Sequence, residues 1–366
     1  MKFYNYKPIR LIELFAGIGS QAKALKNLGV DFEHWFVCEF DEPAIRSYNA
    51  VHGTDFTTSD VTKITANDLN ICDAEHFTYL LTYSFPCQDL SNAGKGQGME
   101  KGSGTRSGLL WEVERLLNES DELPQVLLME NVPQVHSAKN REHFDKWIAF
   151  LESKGYSNHW QDLNSKDYGI PQSRNRCYMV SILGDYSFEF PEPVPLELRL
   201  GDLMEREPDE KYYLSEDRCD KIANWKSQQN PLERVSGVNS ISPTLTARGA
   251  GEYHSGMILF SPGLEDTTNL RSVVLQRAVC NNAVDIIKPR AINARLRVIT
   301  PVESWRLMGF DDIDLDRASK VCDPKHLYQQ AGNSIVVNVL MAIFKELFIP
   351  TKTRSEWLDK LLGGDS

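Results

Sequence analysis

Short apolar runs alternate with amphipathic stretches through the first half of the chain. Residues 9–17, IRLIELFAG, read as a buried strand ending in a glycine turn, and Ser20 to Leu28 as a helix stopped by Gly29. EHWFVCEF (33–40), FTYLLTYSFP (77–86), PQVLLMENV (124–132) and RCYMVSIL (176–183) predict four further strands. GLLWEVERLLNE (108–119) and REHFDKWIAFLESKG (141–155) carry helical periodicity between them. Strands alternating with helices imply an α/β fold with a mostly parallel sheet covered on both faces, and ligands gather at the carboxyl ends of such strands.

The pattern changes from about Tyr186 to Ala291, where a proline-rich FPEPVPLELR leads into short β-like pieces and turn signals. This predicts an inserted region, 186–291, within a domain made of 1–185 and 292–366. Helical signals return in TPVESWRLMG, with Thr300 as N-cap, Pro301 at the first helical position and Glu303 closing a capping box. A last helix is expected in GNSIVVNVLMAIFKELF (332–348).

Composition narrows the function. The 366 residues are 41% apolar, enough to bury a full core. No apolar run is long enough for a bilayer, and the amino terminus lacks the order of a secretory signal, so the expectation is a cytoplasmic protein without a membrane partner. Seven scattered cysteines form no CxxC, and the eight histidines show no ligand spacing, which predicts neither disulfides nor a metal. A net charge of −11 argues against nonspecific coating of nucleic acid but leaves room for a local basic cleft; KPRAINARLR (288–297) is one basic run without an acid.

Several residues carry candidate chemistry. In FAGIGSQA, Gly17 and Gly19 let the backbone approach a ligand, and Glu39, after the second strand, can hold ribose hydroxyls. The turn fits a nucleoside cofactor without choosing between a dinucleotide and S-adenosylmethionine; a tight turn alone would also need glycine. Asp60 can accept from an adenine amino group or simply cap a helix. Cys87, in SFPCQDLS, falls just after a strand, where positive charge or helix amides could activate an exposed thiol, although a lone cysteine is commonly a buried hydrophobe. Glycines 94, 96, 98, 102, 104 and 108 follow in a span that suits either a closing lid or a linker, with Arg106 as a phosphate clamp. Glu130, at a dry strand end, can hold or deliver a proton. Arg174 and Arg176, two apart before a strand, are expected on one face, able to grip a phosphate and a carbonyl.

Together these residues resemble the C5-cytosine DNA methyltransferase family. FAGIGS is similar to its cofactor turn, SFPCQDLS to its nucleophile motif, MENV to its Glu-Asn-Val, QSRNR to its QxRxR and QAGNSIVVNVL to its carboxyl-terminal motif, in the family's order. The likeness covers 10–184 and 291–345; the gap matches the family's target recognition domain. The resemblance implies a Rossmann-like S-adenosylmethionine-dependent sheet acting on a flipped cytosine of double-stranded DNA as a monomer, with S-adenosylhomocysteine as product. It implies that Cys87 attacks carbon 6, that Glu130 engages N3 and the exocyclic amine, and that Arg176 contacts the base carbonyl. Arg174 and Arg106 would support the closed loop and the DNA backbone, beside Gln88 and Ser91. Phe15, Ala16, Gly17, Ile18, Gly19, Glu39, Phe40, Asp60, Val61, Pro86, Asn333 and Ser334 would line the donor pocket, with the terminal helix packed beside the first strand. Ser20 departs from the family, standing where many members have a third glycine. Arg248, Tyr253 and His254, in NSISPTLTARGAGEYHSG (239–256), are base-contact candidates. Neither the recognised site nor a companion endonuclease is legible.

Three other readings are weaker. A nicotinamide oxidoreductase would have no use for a Pro-Cys-Gln thiol, the tRNA-methylating branch carries a Cys-Phe-Thr that is absent here, and a silent DNA-binding protein would not need Cys87, Glu130 and Arg176 intact.

Overall fold

The computed structural model describes residues 3, 5–87, 90, 98–102, 105–215, 217–218, 235–247, 257–260 and 295–349. The chain divides into two compact units, one of 1–164, 175–193 and 335–366, the other of 165–174 and 194–334.

The first unit is built on a six-stranded sheet of β1 (Ile9–Leu14), β2 (Phe32–Cys38), β3 (Thr78–Tyr83), β4 (Val126–Asn131), β5 (Tyr156–Asn164) and, after a two-residue strand β6 (Gln172–Ser173) that belongs to the second unit, β7 (Asn175–Leu183), in the order β2-β1-β3-β4-β7-β5. The first four are parallel, and β7 runs antiparallel to both neighbours. Parallel strands are covered on both faces, and accordingly every residue of β3 and β4 is buried. The helices are α1 (Ser20–Asn27), α2 (Glu42–His52), α3 (Ala66–Leu69), α4 (Leu110–Glu119) and α5 (Arg141–Ser153). Leu110, Val113, Leu116 and Leu117 give α4 its buried stripe, and Trp147 of α5 donates its indole N–H to the Tyr83 hydroxyl at 3.1 Å. A further helix of this unit, Val337–Phe348, packs on α1 and buries Val337, Leu340, Ile343, Phe344 and Leu347.

The second unit holds β6 paired with β9 (Ser242–Pro243), and a sheet of β8 (Val235–Gly237), β10 (Met257–Phe260) and β11 (Arg295–Val298). Three helices follow, α6 (Pro301–Arg306), α7 (Asp312–Ser319) and α8 (Pro324–Asn333), after which the helix at Val337–Phe348 is α9. The capping box at Thr300 forms as the sequence predicts. Its Glu303 carboxylate also takes two guanidinium nitrogens of Arg297, at 2.8 and 2.6 Å, in a pair with no solvent exposure at the arginine. Arg297 of the basic run is thus internal. Gly332 lies in a helix, where φ is ordinary; its lack of a side chain serves close approach, since a Cβ would collide with the backbone of Thr246 and Ala247.

The division differs from the sequence expectation: residues 165–174 and 292–334 group with the inserted region, and 186–193 group with the first unit. The reason is packing. Trp305, Leu307, Met308, Tyr328 and Ala331 bury their side chains inside the second unit, and the Gln172 amide donates to the Leu307 carbonyl at 2.9 Å.

Candidate active site

β1 ends in a turn whose backbone is left-handed at Phe15 (φ 58°), Gly17 (φ 57°) and Gly19 (φ 77°). Glycine meets this demand freely; for Phe15 it costs about 1 kcal/mol or more. Two carboxylate contacts hold the turn open: Glu39 accepts from the Gly17 amide and from the Asp41 amide, each at 2.8 Å. Burial raises the Glu39 carboxyl above its ordinary range, and these amides oppose that rise. Ala16 and Ile18 point their side chains into the core, so only their backbone is offered to a ligand. Beside Glu39, the Phe40 ring is 76% exposed, an uncovered aromatic face at the strand end. Asp60 follows a loop. Its carboxylate accepts from the Thr62 amide and hydroxyl at 3.0 and 2.8 Å, and these bonds lower its pKa; Val61 is buried.

The ends of β3 and β4 lie side by side, with Tyr83 opposite Met129 in parallel register. Past them, the Asn131 amide donates to the Phe85 carbonyl at 2.9 Å, and Ser107 donates to the Pro86 carbonyl at 2.7 Å. The first bond ties the Phe85–Pro86 peptide to the end of β4, and the second ties the Pro86–Cys87 peptide to the helical turn at Arg106–Leu109. Cys87 is half-buried against the core. Cys38, Cys177 and Cys322 are buried, and burial pushes the Cys38 thiol up to about 11. Arg106 is exposed at the start of a short turn of helix.

Because β7 runs back toward β4, its first residues arrive at that same edge, with Cys177 opposite Asn131 and Tyr178 opposite Glu130. Arg176 Nε lies 3.2 Å from Glu130 Oε1, and the two side chains are 15% and 10% exposed. The expected partnership of Arg174 with Arg176 does not occur. The chain breaks between β6 and β7, so alternation is lost at Arg174, which is buried in the second unit with its guanidinium on the carbonyls of Leu245, Gly332 and Ser334, each at 2.9 Å. It is a clamp on backbone, not a free grip for phosphate. Ser334 spends its hydroxyl on the Gln330 carbonyl at 2.7 Å, while Asn333 is exposed; both belong to the second unit. Gln88, Ser91, Arg248, Tyr253 and His254 lie outside the described residues.

One cluster was invisible to spacing, because its members come from three elements: ligand atoms of His136, Asp162 and Cys177 lie within 4.8 Å of one another. His136 Nε2 is 2.9 Å from Asp162 Oδ1, and burial raises the Cys177 thiol, with Asp162 and Glu130 adding to the shift.

The profile of the family C-5 cytosine-specific DNA methylase matches residues 9–349. The chain belongs to that family. It is a DNA (cytosine-5)-methyltransferase with S-adenosylmethionine as methyl donor. It is similar to the type II methyltransferase M2.ScrFI of Lactococcus lactis subsp. cremoris, 32% identical over 93% of this chain and 99% of the relative. It is also similar to the orphan methyltransferase M.SssI of Spiroplasma monobiae, 29% identical over 93% and 97%. Among solved structures, the S. pombe Dnmt2 methyltransferase superposes with a TM-score of 0.70 at 22% identity over 92% of this methyltransferase and 97% of that chain, a likeness of fold. Among the described residues, no single helix is long and apolar enough to cross a membrane.

Proposed function

We propose that Cys87, Glu130 and Arg176 are the reacting centre of this methyltransferase and that the Phe15–Gly19 turn, Glu39, Phe40 and Asp60 hold its donor. The observation that carries this reading is the Glu130 carboxyl: it stands at a nearly dry strand end, is paired with Arg176, and shares its edge with the Cys87 loop through the Asn131–Phe85 hydrogen bond.

The residues suit a nucleoside sulfonium. A Cβ at Gly17 would meet nothing within 4 Å, so the side-chain face of this left-handed residue is open, while its amide is held by Glu39. Glu39 keeps lone pairs for ribose hydroxyls, and the uncovered Phe40 face can stack on a purine. When bound, the donor supplies an electrophilic methyl group. Ala16, Ile18, Val61 and Pro86 would contribute backbone or packing around it.

Carbon 5 of cytosine is a weak nucleophile. Bond formation between Cys87 Sγ and carbon 6, with a proton held at N3 by Glu130, moves electron density onto carbon 5. Arg176 both orients the Glu130 carboxyl and reaches toward the base carbonyl. After methyl transfer, loss of the carbon 5 proton to solvent, return of the N3 proton to Glu130 and cleavage of the Sγ–C6 bond restore the aromatic ring and release Cys87 as a thiolate. A stacked base is out of reach of Cys87, so the cytosine of a double-stranded substrate is extruded, with Arg106 exposed to meet the backbone and Gln88 and Ser91 as further candidates for DNA contact. Arg248, Tyr253 and His254 remain base-reading candidates. We take the enzyme to act as a monomer in the cytoplasm, modifying DNA as type II and orphan methyltransferases do.

A duplex carrying 5-fluorocytosine tests the centre, because fluorine cannot leave as a proton does. With S-adenosylmethionine present, intact-mass analysis is expected to show one covalent protein–DNA adduct mapping to Cys87, and none with Cys87→Ser. An adduct on another residue, or none on a preparation that methylates DNA, overturns the assignment.

A further inference from the structure

The two glycines of the donor turn answer different demands. Gly17 faces open space, whereas a Cβ at Gly19 would collide with His52 Nε2 and come within 2.7 Å of the Tyr48 ring. Both rings belong to α2, one helical turn apart and therefore on one face. They meet with centroids 4.6 Å apart and planes tilted by 50°. His52 Nε2 lies 3.0 Å from the Ile18 carbonyl, which can only accept, so the ring is the donor and its proton sits on Nε2. Burial lowers the His52 pKa to about 3, so this neutral tautomer persists at physiological pH.

The rings are themselves anchored. The Tyr48 hydroxyl donates to the buried Glu13 carboxylate on β1 and accepts from His34 Nδ1 of β2 at 2.7 Å. One chain of contacts therefore runs from β1 and β2, through α2, to the peptide at the centre of the turn. Gly19 is the N-cap of α1 and supplies no side-chain cap, and the peptide just before it is the one whose carbonyl His52 holds.

We propose that His52 is a positioning residue for the methyl donor: its ring N–H holds the Ile18 carbonyl and thereby sets the Gly17–Gly19 backbone that the donor meets. The inference rests on Phe15–Gly19 being the donor turn. His52 touches no reacting atom and acts through the Ile18–Gly19 peptide. Without the N–H, the buried carbonyl loses its partner and the peptide is free to rotate, which weakens donor binding before it affects chemistry.

His52→Phe keeps a ring against Tyr48 but removes the donor; His52→Gln keeps an N–H within reach of Ile18. Calorimetric titration with S-adenosylhomocysteine is expected to give about a tenfold or larger rise in Kd for the Phe variant and no more than about threefold for the Gln variant. In turnover, the Phe variant raises KM for S-adenosylmethionine more than it lowers kcat, with KM for DNA unchanged. Binding by His52→Phe within twofold of wild type overturns the proposal, as does a Gln variant that loses as much as the Phe variant. Should the Phe variant not fold, the Gln variant decides: within threefold supports the role, a tenfold loss refutes it. Glu39→Ala separates this from the donor-turn reading. If Glu39→Ala binds S-adenosylhomocysteine like wild type, the turn itself is misassigned; if it is weakened while His52→Phe is not, only the His52 inference falls.

Discussion

Arg176 and Arg174 are two residues apart, yet the molecule treats them in opposite ways. Arg176, in the first unit, meets Glu130 through one nitrogen at 3.2 Å at a partly open edge. Arg174, in the second, is buried with three carbonyls on its guanidinium. The same contrast recurs between Glu130 and Glu303. Glu303 is fully buried, and its two oxygens serve Arg297, the Thr300 amide and the Glu205 amide. A charge that is saturated has been spent on holding chain segments together. The Glu130–Arg176 pair instead stands at a partly open edge, as the proposed reacting centre requires.

That contrast can be pressed hardest at Glu303. Glu303→Ala strands Arg297 without a counter-charge and removes an N-cap partner, so a loss of about 3–5 kcal/mol in unfolding free energy is expected by chemical denaturation. Replacing both partners by apolar residues should recover much of it, because the unpaired charge is gone. Next come the two arginines. Arg174→Ala should cost about 2–3 kcal/mol of stability by leaving buried carbonyls unsatisfied. Arg176→Ala should leave the melting temperature nearly unchanged while lowering kcat about a hundredfold in a radiolabelled methyl-transfer assay. Equal stability losses in the two would erase the distinction.

The smallest effect concerns Glu13, saturated by neither pattern. It is fully buried, and desolvation raises its pKa to about 7 against the opposing Tyr48 hydrogen bond. The folded state thus binds a proton that the unfolded chain releases near pH 4.5, so this contribution to stability is complete below that pH and disappears as pH rises through about 7. Between pH 5 and 8 the wild type should lose about 2 kcal/mol that Glu13→Gln retains, measured by denaturant titration at both pH values. A parallel pH dependence in the two proteins would show that Glu13 does not titrate in this range.

Much of the first unit was legible because its elements announce themselves locally. Strand residues such as Leu80 and Leu127 sit in runs that only a doubly covered sheet explains, Gly29 and Gly155 stop their helices, and Thr300 with Glu303 forms the box its spacing predicts. Glu130 and Arg176 were likewise placed by strand ends. Helix α2 went unread, since its Tyr48 and His52 look like ordinary core residues until the Ile18 carbonyl is brought above them. Arg174 was misread because one break in an extended chain undoes the rule that alternate residues share a face. Arg297 was misread because a run of positive charge gives no sign of a buried carboxylate six residues on. These last three depend on long-range or non-periodic geometry, which no local pattern encodes.

The reversed strand β7 has one more consequence. Because β5 leaves the sheet and β7 re-enters it at a common rim, the ten residues between them form a hairpin tip that departs and returns at the same door. Material grafted there can change in length or character without altering strand order, while the returning chain still delivers a guanidinium to the carboxyl waiting across the ladder. The topology thus uncouples what may vary in such an enzyme from what must stay in register.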